Sequence, residues 1–177
     1  MPGPDKFSRF EQAILPHLDA AYNLARWLMR NEDEAADAVQ DACVRALRFI
    51  GGFRGGDGRV WLLAIVRNTC YSRLKRSTIR EQETEFDDEI HSPETETTNP
   101  EALLERSHDS EALQHALEDL PEEFREIVVM RELEGMAYKE IAEVAEVPIG
   151  TVMSRLARAR KRLQQALTAP APEGVLK

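Results

Sequence analysis

The stretch PIGTVMSRLARARKRL, from Pro148 to Leu163, carries the side chains best suited to chemistry on another molecule. Val152, Leu156, Ala159 and Leu163 recur every three or four residues, as the buried stripe of a helix requires. Thr151, Ser154, Arg155 and Arg158 fall off that stripe. Hydroxyls and guanidinium forks on one face, opposite a packing face, are what reading base edges and phosphates demands. Gly150 removes a side chain in the first turn, where a helix N-terminus can approach a phosphate oxygen. An ordinary surface helix with a basic tail would show the same periodicity. It would not account for the short helical pattern Tyr138 to Ala145 just before, the tight connection, or Pro148 at a first helical position. Two helices joined by so few residues describe a helix-turn-helix.

A second candidate is the glycine-rich loop Phe53-Arg54-Gly55-Gly56-Asp57-Gly58-Arg59, whose glycines admit backbone angles closed to other residues. Enzymatic chemistry finds no support. His17, His91, His108 and His115 are scattered, and no nucleophile, metal or phosphate-loop signature is present. His115, at the edge of an apolar helical face, is expected to pack. Cys43 and Cys70 fall inside helical patterns without CxxC spacing, so they are expected to be packed or partly buried thiols. Trp61, at the head of an amphipathic stretch, is assigned to the core.

A net charge of −9 argues against nucleic acid until it is divided along the chain. Residues 1–76 hold 12 basic and 9 acidic side chains, residues 77–109 hold 2 and 11, and residues 110–177 hold 9 and 12. The middle segment therefore carries the whole surplus. No Asp or Glu occurs from Gly58 to Arg80 beside six Lys or Arg, nor from Val147 to Pro172 beside five. Two basic patches lie inside an acidic chain.

The elements that position these residues read as helices throughout. Leu18, Ala21, Tyr22, Ala25, Leu28 and Met29 form one buried face. Asn31 with Glu34 resembles a capping box and opens a helix whose apolar face reads as Ala36, Val39, Cys43, Ala46, Leu47 and Ile50, stopped by Gly51 and Gly52. A third amphipathic stretch runs from Val60 to about Arg76. Residues 77–109, rich in Glu, Asp, Thr and Ser, have too little apolar surface to repay the entropy of ordering and read as a flexible acidic linker, with a possible helix start at Pro100 to Arg106. The second lobe begins with Leu113, Ala116, Leu117 and Leu120, then Pro121 starts a helix carrying Phe124, Ile127 and Val128, ended by Gly135. The expected fold is all-α: two small helical domains, 7–76 and 110–168, joined by the linker 77–109 and followed by a disordered tail at 169–177.

At this point the chain resembles a known family. The run ALEDLPEEFREIVVMRELEGMAYKEIAEVAEVPIGTVMSRLARARKRL, Ala116 to Leu163, is similar to region 4 of the extracytoplasmic-function sigma factors, which binds the −35 promoter element. DEAADAVQDACVRAL, Asp33 to Leu47, resembles the region 2 helix that docks on polymerase, and WLLAIVRNTCYSRLKR, Trp61 to Arg76, the helix that melts and holds the −10 element. The resemblance implies that Gly150, Thr151, Ser154, Arg155, Arg158 and Lys161 meet −35 duplex. It implies that Arg54, Asp57 and Arg59 belong to the loop capturing a flipped −10 base, and that Arg67, Asn68, Lys75 and Arg76 line the separated strand. Asp37, Gln40 and Asp41 read on their own as a solvated acidic face, and only the resemblance makes them polymerase contacts. Ser72, Ala137, Glu146 and Met153 depart from the family pattern. Ala137 forfeits a helix cap worth roughly 1 kcal/mol, Glu146 is expected in a left-handed conformation, and Met153 alters the −35 reading surface.

The implied partners are core RNA polymerase, through the clamp helices of its largest subunit and the flap of its second, promoter DNA, and an anti-sigma factor. No cofactor and no membrane span are expected. With no apolar membrane-length or secretory stretch, the protein is expected to be cytoplasmic. The alternative is a stand-alone helix-turn-helix regulator. It would need a dimer seam, and the chain shows no sustained heptad to supply one.

Overall fold

The computed structural model describes residues 5–84 and 108–168, all helices and connecting turns. In the first lobe α1 (Lys6–Ala13) leads through a 3-10 turn (Leu15–His17) into α2 (Leu18–Met29), α3 (Glu32–Phe49) and α4 (Gly58–Thr84). The second lobe holds α5 (His108–Glu118), α6 (Glu122–Val128), α7 (Tyr138–Ala145) and α8 (Ile149–Thr168). The linker and tail read at 77–109 and 169–177 lie largely or wholly outside the described residues. Where they are described, residues 77–84 continue α4 eight residues past Arg76.

Local signals place the helix ends. Asn31 Oδ1 accepts from the Glu34 N–H at 3.0 Å and caps α3. Arg30, at φ 60, makes the left-handed turn that separates α2 from α3. Alanine sets the packing between these two helices. Ala20, Ala21 and Ala25 of α2 are buried, as are Ala35, Ala38, Ala42 and Ala46 of α3. This corrects the expected face of α3: Ala36 is exposed, and Val39, Cys43 and Leu47 are only half-buried. The burial axis falls along the smallest side chains because those let the backbones approach most closely, whereas the larger apolar residues flank the contact. α4 closes the lobe with Leu62, Leu63, Val66 and Cys70 fully buried, and burial pushes the Cys70 thiol up to about 12. Trp61, half-buried, packs its ring 5.2 Å from that of Phe53.

In the second lobe α6 runs into a wider π-helical turn, Val129–Leu133, before Gly135 reverses the chain at φ 62. Ile127, Val129, Met130, Met136, Ile141, Val144, Val152, Leu156 and Ala159 form its core. His115 does not pack as expected. Its side chain is 81% exposed, 3.9 Å from Glu118, because the buried stripe of α5 runs through Ala116 and Leu117. The lobes are not separate bodies: α2 packs on α6 and α4 on α7, so the buried residues of both join in one apolar cluster.

Candidate nucleic-acid interface

The helix-turn-helix is α7 and α8. Ala137 caps α7 without a side-chain oxygen, and its N–H instead donates to Glu140 Oε1 at 2.8 Å. Glu146 sits at φ 57, ψ 46, the left-handed conformation expected there, and its N–H donates to the Ala142 carbonyl. α8 then buries Val152, Leu156 and Ala159 against α6 and α7. On the other side Gly150, Ser154, Arg158 and Lys161 are exposed and Thr151 and Arg155 half-buried, so all six residues singled out for duplex DNA share one side of one helix. Arg158 and Lys161 have no partner among the described residues, while Arg155 stands 3.9 Å from Glu123. The remaining cations are occupied within the lobe: Arg160 Nε donates to Glu132 at 3.2 Å, and Arg162 lies 5.1 Å from the Phe124 ring centre. Met153 is 52% exposed on the same side.

The residues singled out in the first lobe run along the loop and α4. Gly55 and Gly56 take φ 84 and 95, angles that favour glycine. Gly58 answers a different demand: a Cβ there would lie 2.0 Å from the Ala13 carbonyl oxygen, so α1 and the start of α4 touch only because the side chain is missing. Asp57 Oδ1 accepts from the Arg59 N–H at 2.9 Å and caps α4. Burial opposes its ionisation, but hydrogen bonding, including to Glu140 and from the Arg59 and Val60 amides, and the Arg59 charge hold its carboxyl below the usual range. Arg54, Asn68, Lys75 and Arg76 are exposed.

Arg59 and Arg67 are turned to the other lobe. Arg59 donates to the Glu134 carbonyl at 3.0 Å and lies 3.6 Å from Glu140. Arg67 donates through Nε to Glu126 Oε2 at 2.8 Å and through Nη2 to Oε1 at 3.3 Å. Glu126 is 0% exposed and the Arg67 side chain 16%. Burial pushes the Glu126 carboxyl up, against the pull of Arg67. Burial also works against the Arg67 cation, but the bonds and charge of Glu126 outweigh it and raise its pKa.

Asp37 and Gln40 project from the exposed side of α3, Asp37 one turn before Asp41 and Gln40 immediately before it. Asp41 is itself held by Arg73 of α4, whose Nε donates at 3.2 Å. That pair ties the acidic surface of α3 to α4.

Sequence reasoning missed Arg125. It is 1% exposed, and its guanidinium donates to the carbonyls of Leu117 at 3.1 Å, Glu118 at 3.0 Å, Leu120 at 2.6 Å and, across the seam, Trp27 at 2.9 Å. These carbonyls end α5 and lie near the end of α2, so one cation satisfies groups at two helix C-termini. The signal was present: Arg125 and Glu126 interrupt the apolar run between Phe124 and Ile127, where the stripe of a short helix leaves no room for two solvated charges.

Comparison with known proteins adds a second line. The model of Sigma-70 region 2 matches residues 13–79 and that of Sigma-70, region 4 matches residues 110–163. The chain is 33% identical over 158 residues to the ECF RNA polymerase sigma factor SigE of Mycolicibacterium smegmatis, covering 89% of this chain and 61% of that relative. It is 34% identical over 137 residues to the ECF RNA polymerase sigma-E factor of Escherichia coli K12, covering 73% of this chain and 72% of that one. A solved structure of the sigma factor RpoE in complex with the anti-sigma factor NepR from Bartonella quintana overlays with a TM-score of 0.73 at 29% identity, covering 92% of this chain and 98% of that one.

Proposed function

The chain belongs to the extracytoplasmic-function RNA polymerase sigma factors, and from that premise we propose how its residues divide the work. As a sigma factor it directs core RNA polymerase to promoter DNA and takes part in opening it. The stand-alone regulator falls away, because a second module, matching region 2, precedes the helix-turn-helix.

α8 carries the −35 reading: a left-handed turn at Glu146 sets a helix whose exposed side offers Thr151, Ser154, Arg155, Arg158 and Lys161 to a major groove, with Gly150 at its N-terminus. The loop from Arg54 to Arg59 and the cations of α4 carry the −10 element, with Arg54, Asp57 and Arg59 around a flipped base and Arg67, Asn68, Lys75 and Arg76 along the strand. Asp37, Gln40 and Asp41 dock on the clamp helices of the largest polymerase subunit, and the second lobe meets the flap of the second. The functional domains are 7–76 and 110–168, and the protein performs no bond chemistry of its own. Likeness to RpoE, solved with NepR, supports an anti-sigma factor as a further partner. No described helix is long and apolar enough to cross a membrane.

The observation that carries this reading is the sorting of α8 into a buried apolar face and an exposed basic one immediately after the turn. The test is run-off transcription with core polymerase on a library of random promoters. Selection of a two-part sequence, one part lost when Arg158 becomes Ala and the other when Asn68 does, is expected. Transcripts without sequence preference, or tight specific binding by the free protein at physiological salt, would overturn it.

A further inference from the structure

One helix, α1, holds both ends of the loop assigned to the flipped −10 base. At the start of the loop, Arg9 of α1 donates through Nη2 to the Phe53 carbonyl at 2.5 Å, while the Phe53 N–H donates to the Ile50 carbonyl at 3.0 Å. Both backbone polar groups of Phe53 are therefore engaged, and its ring packs beside that of Trp61. At the far end, the Ala13 carbonyl oxygen lies 2.0 Å from where a Gly58 Cβ would stand, so the last residue of α1 sits directly against the first of α4. α1 also packs on α3 and on the turn Ile50–Gly52 that leads into the loop.

Between these anchors the tip of the loop stands clear. Gly55 and Gly56, at φ 84 and 95, have nothing within 4 Å of where a Cβ would be, and Arg54 and Asp57 are exposed. Two glycines leave a tip with more backbone freedom than a base pocket tolerates, because discrimination is lost once donors and acceptors wander by a fraction of an ångström. Fixing both ends confines that freedom to the few residues between them. A half-buried guanidinium suits the task, since a charged donor makes the stronger kind of hydrogen bond to a carbonyl. The contacts of Arg59 with Glu134 and Glu140 come from the other lobe, whereas the two anchors belong to the loop's own.

We propose that Arg9 is a positioning residue for −10 recognition: it pins the Phe53 carbonyl while Gly58 is seated on Ala13, so that the loop presents Arg54 and Asp57 to the flipped base in one arrangement. The proposal rests on the assignment of residues 54–59 to that base. It adds a share in promoter choice for α1, whose Arg9 lies ahead of the segment matched to region 2.

The test reads base preference at the two promoter elements separately, by sequencing run-off transcripts from a barcoded library randomised at −10 and −35, made with core polymerase and each full-length variant. Arg9→Met keeps the aliphatic stem and removes the donors. It should weaken the −10 preference by about tenfold, the size of one good base contact, and leave the −35 preference intact. Arg9→Lys keeps one charged donor and should recover most of the loss. A merely structural role would lower transcription evenly from all promoters, and that outcome, or an unchanged −10 preference, overturns the proposal. Arg54→Ala and Asp57→Ala separate the anchor from the loop. If they relax the −10 preference and Arg9→Met does not, the anchor alone is wrong. If both leave it unchanged, the loop assignment falls and the proposal with it, whatever Arg9→Met does. Should Arg9→Met fail to fold, Gly58→Ala displaces the other end of the loop with Arg9 in place, and an unaltered −10 preference there overturns the proposal.

Discussion

The two surfaces assigned to DNA differ in what occupies them. On α8, Ser154, Arg158 and Lys161 stand in solvent, and the helix is fixed by packing at its back. On α4, Arg67 is engaged by a buried carboxylate and Arg59 by a carbonyl, both from the opposite lobe, while Asn68, Lys75 and Arg76 remain exposed. One surface stands open and the other is partly covered by the opposite lobe. On the proposed assignments the difference fits the targets: duplex DNA is present before initiation, whereas a melted strand exists only after unpairing, and a cationic groove open beforehand would bind any nucleic acid through its phosphates.

The lobes also hold themselves together differently, and the largest effect tests that contrast. Arg125→Met should remove four carbonyl partners at once and destabilise the second lobe by about 3–5 kcal/mol, seen as an early urea transition, because buried carbonyls lose their donor. A loss no greater than for an exposed arginine would mean that water replaces the guanidinium. The first lobe depends instead on close helix contact. Ala38→Leu should cost about 1–3 kcal/mol by forcing α2 and α3 apart. Gly58→Ala should act in the same range through the Ala13 carbonyl, and a neutral result in chemical denaturation would show that α1 yields freely.

At the DNA surfaces, Arg155→Ala and Arg158→Ala should each lower initiation on promoters dependent on the −35 element, by roughly 1–3 kcal/mol of discrimination if the contact is to a base. Asn68→Ala and Lys75→Ala should spare closed complexes and reduce open ones, and a template mismatched across the −10 region should restore them, as permanganate footprinting would report. Equal rescue of Arg155→Ala would erase the distinction between the surfaces. The smallest effect lies on α3. Asp41→Ala should cost about 0.2–1 kcal/mol of stability through the loss of the half-exposed Arg73 pair, whereas Asp37→Arg should leave stability unchanged and weaken association with core polymerase. Co-purification that survives Asp37→Arg together with Asp41→Arg would remove α3 from the docking surface.

The sequence by itself determined the helical class and the sorted faces of α8, because each depends on residues within a few turns of one another, whereas the order of the modules and the left-handed turn at Glu146 were read from the family resemblance. It placed the buried face of α3 about one residue off, since periodicity counts the largest apolar side chains while packing selected the alanines. The tertiary structure alone decided that α4 continues to Thr84, that Gly58 is required by a carbonyl 45 residues away, and that Arg125 serves two helix ends. It alone paired Arg67 with Glu126, 59 residues apart. Each of those groups meets a partner brought close only by folding, and a charge in a helical stripe carries no local sign of which distant atom will satisfy it.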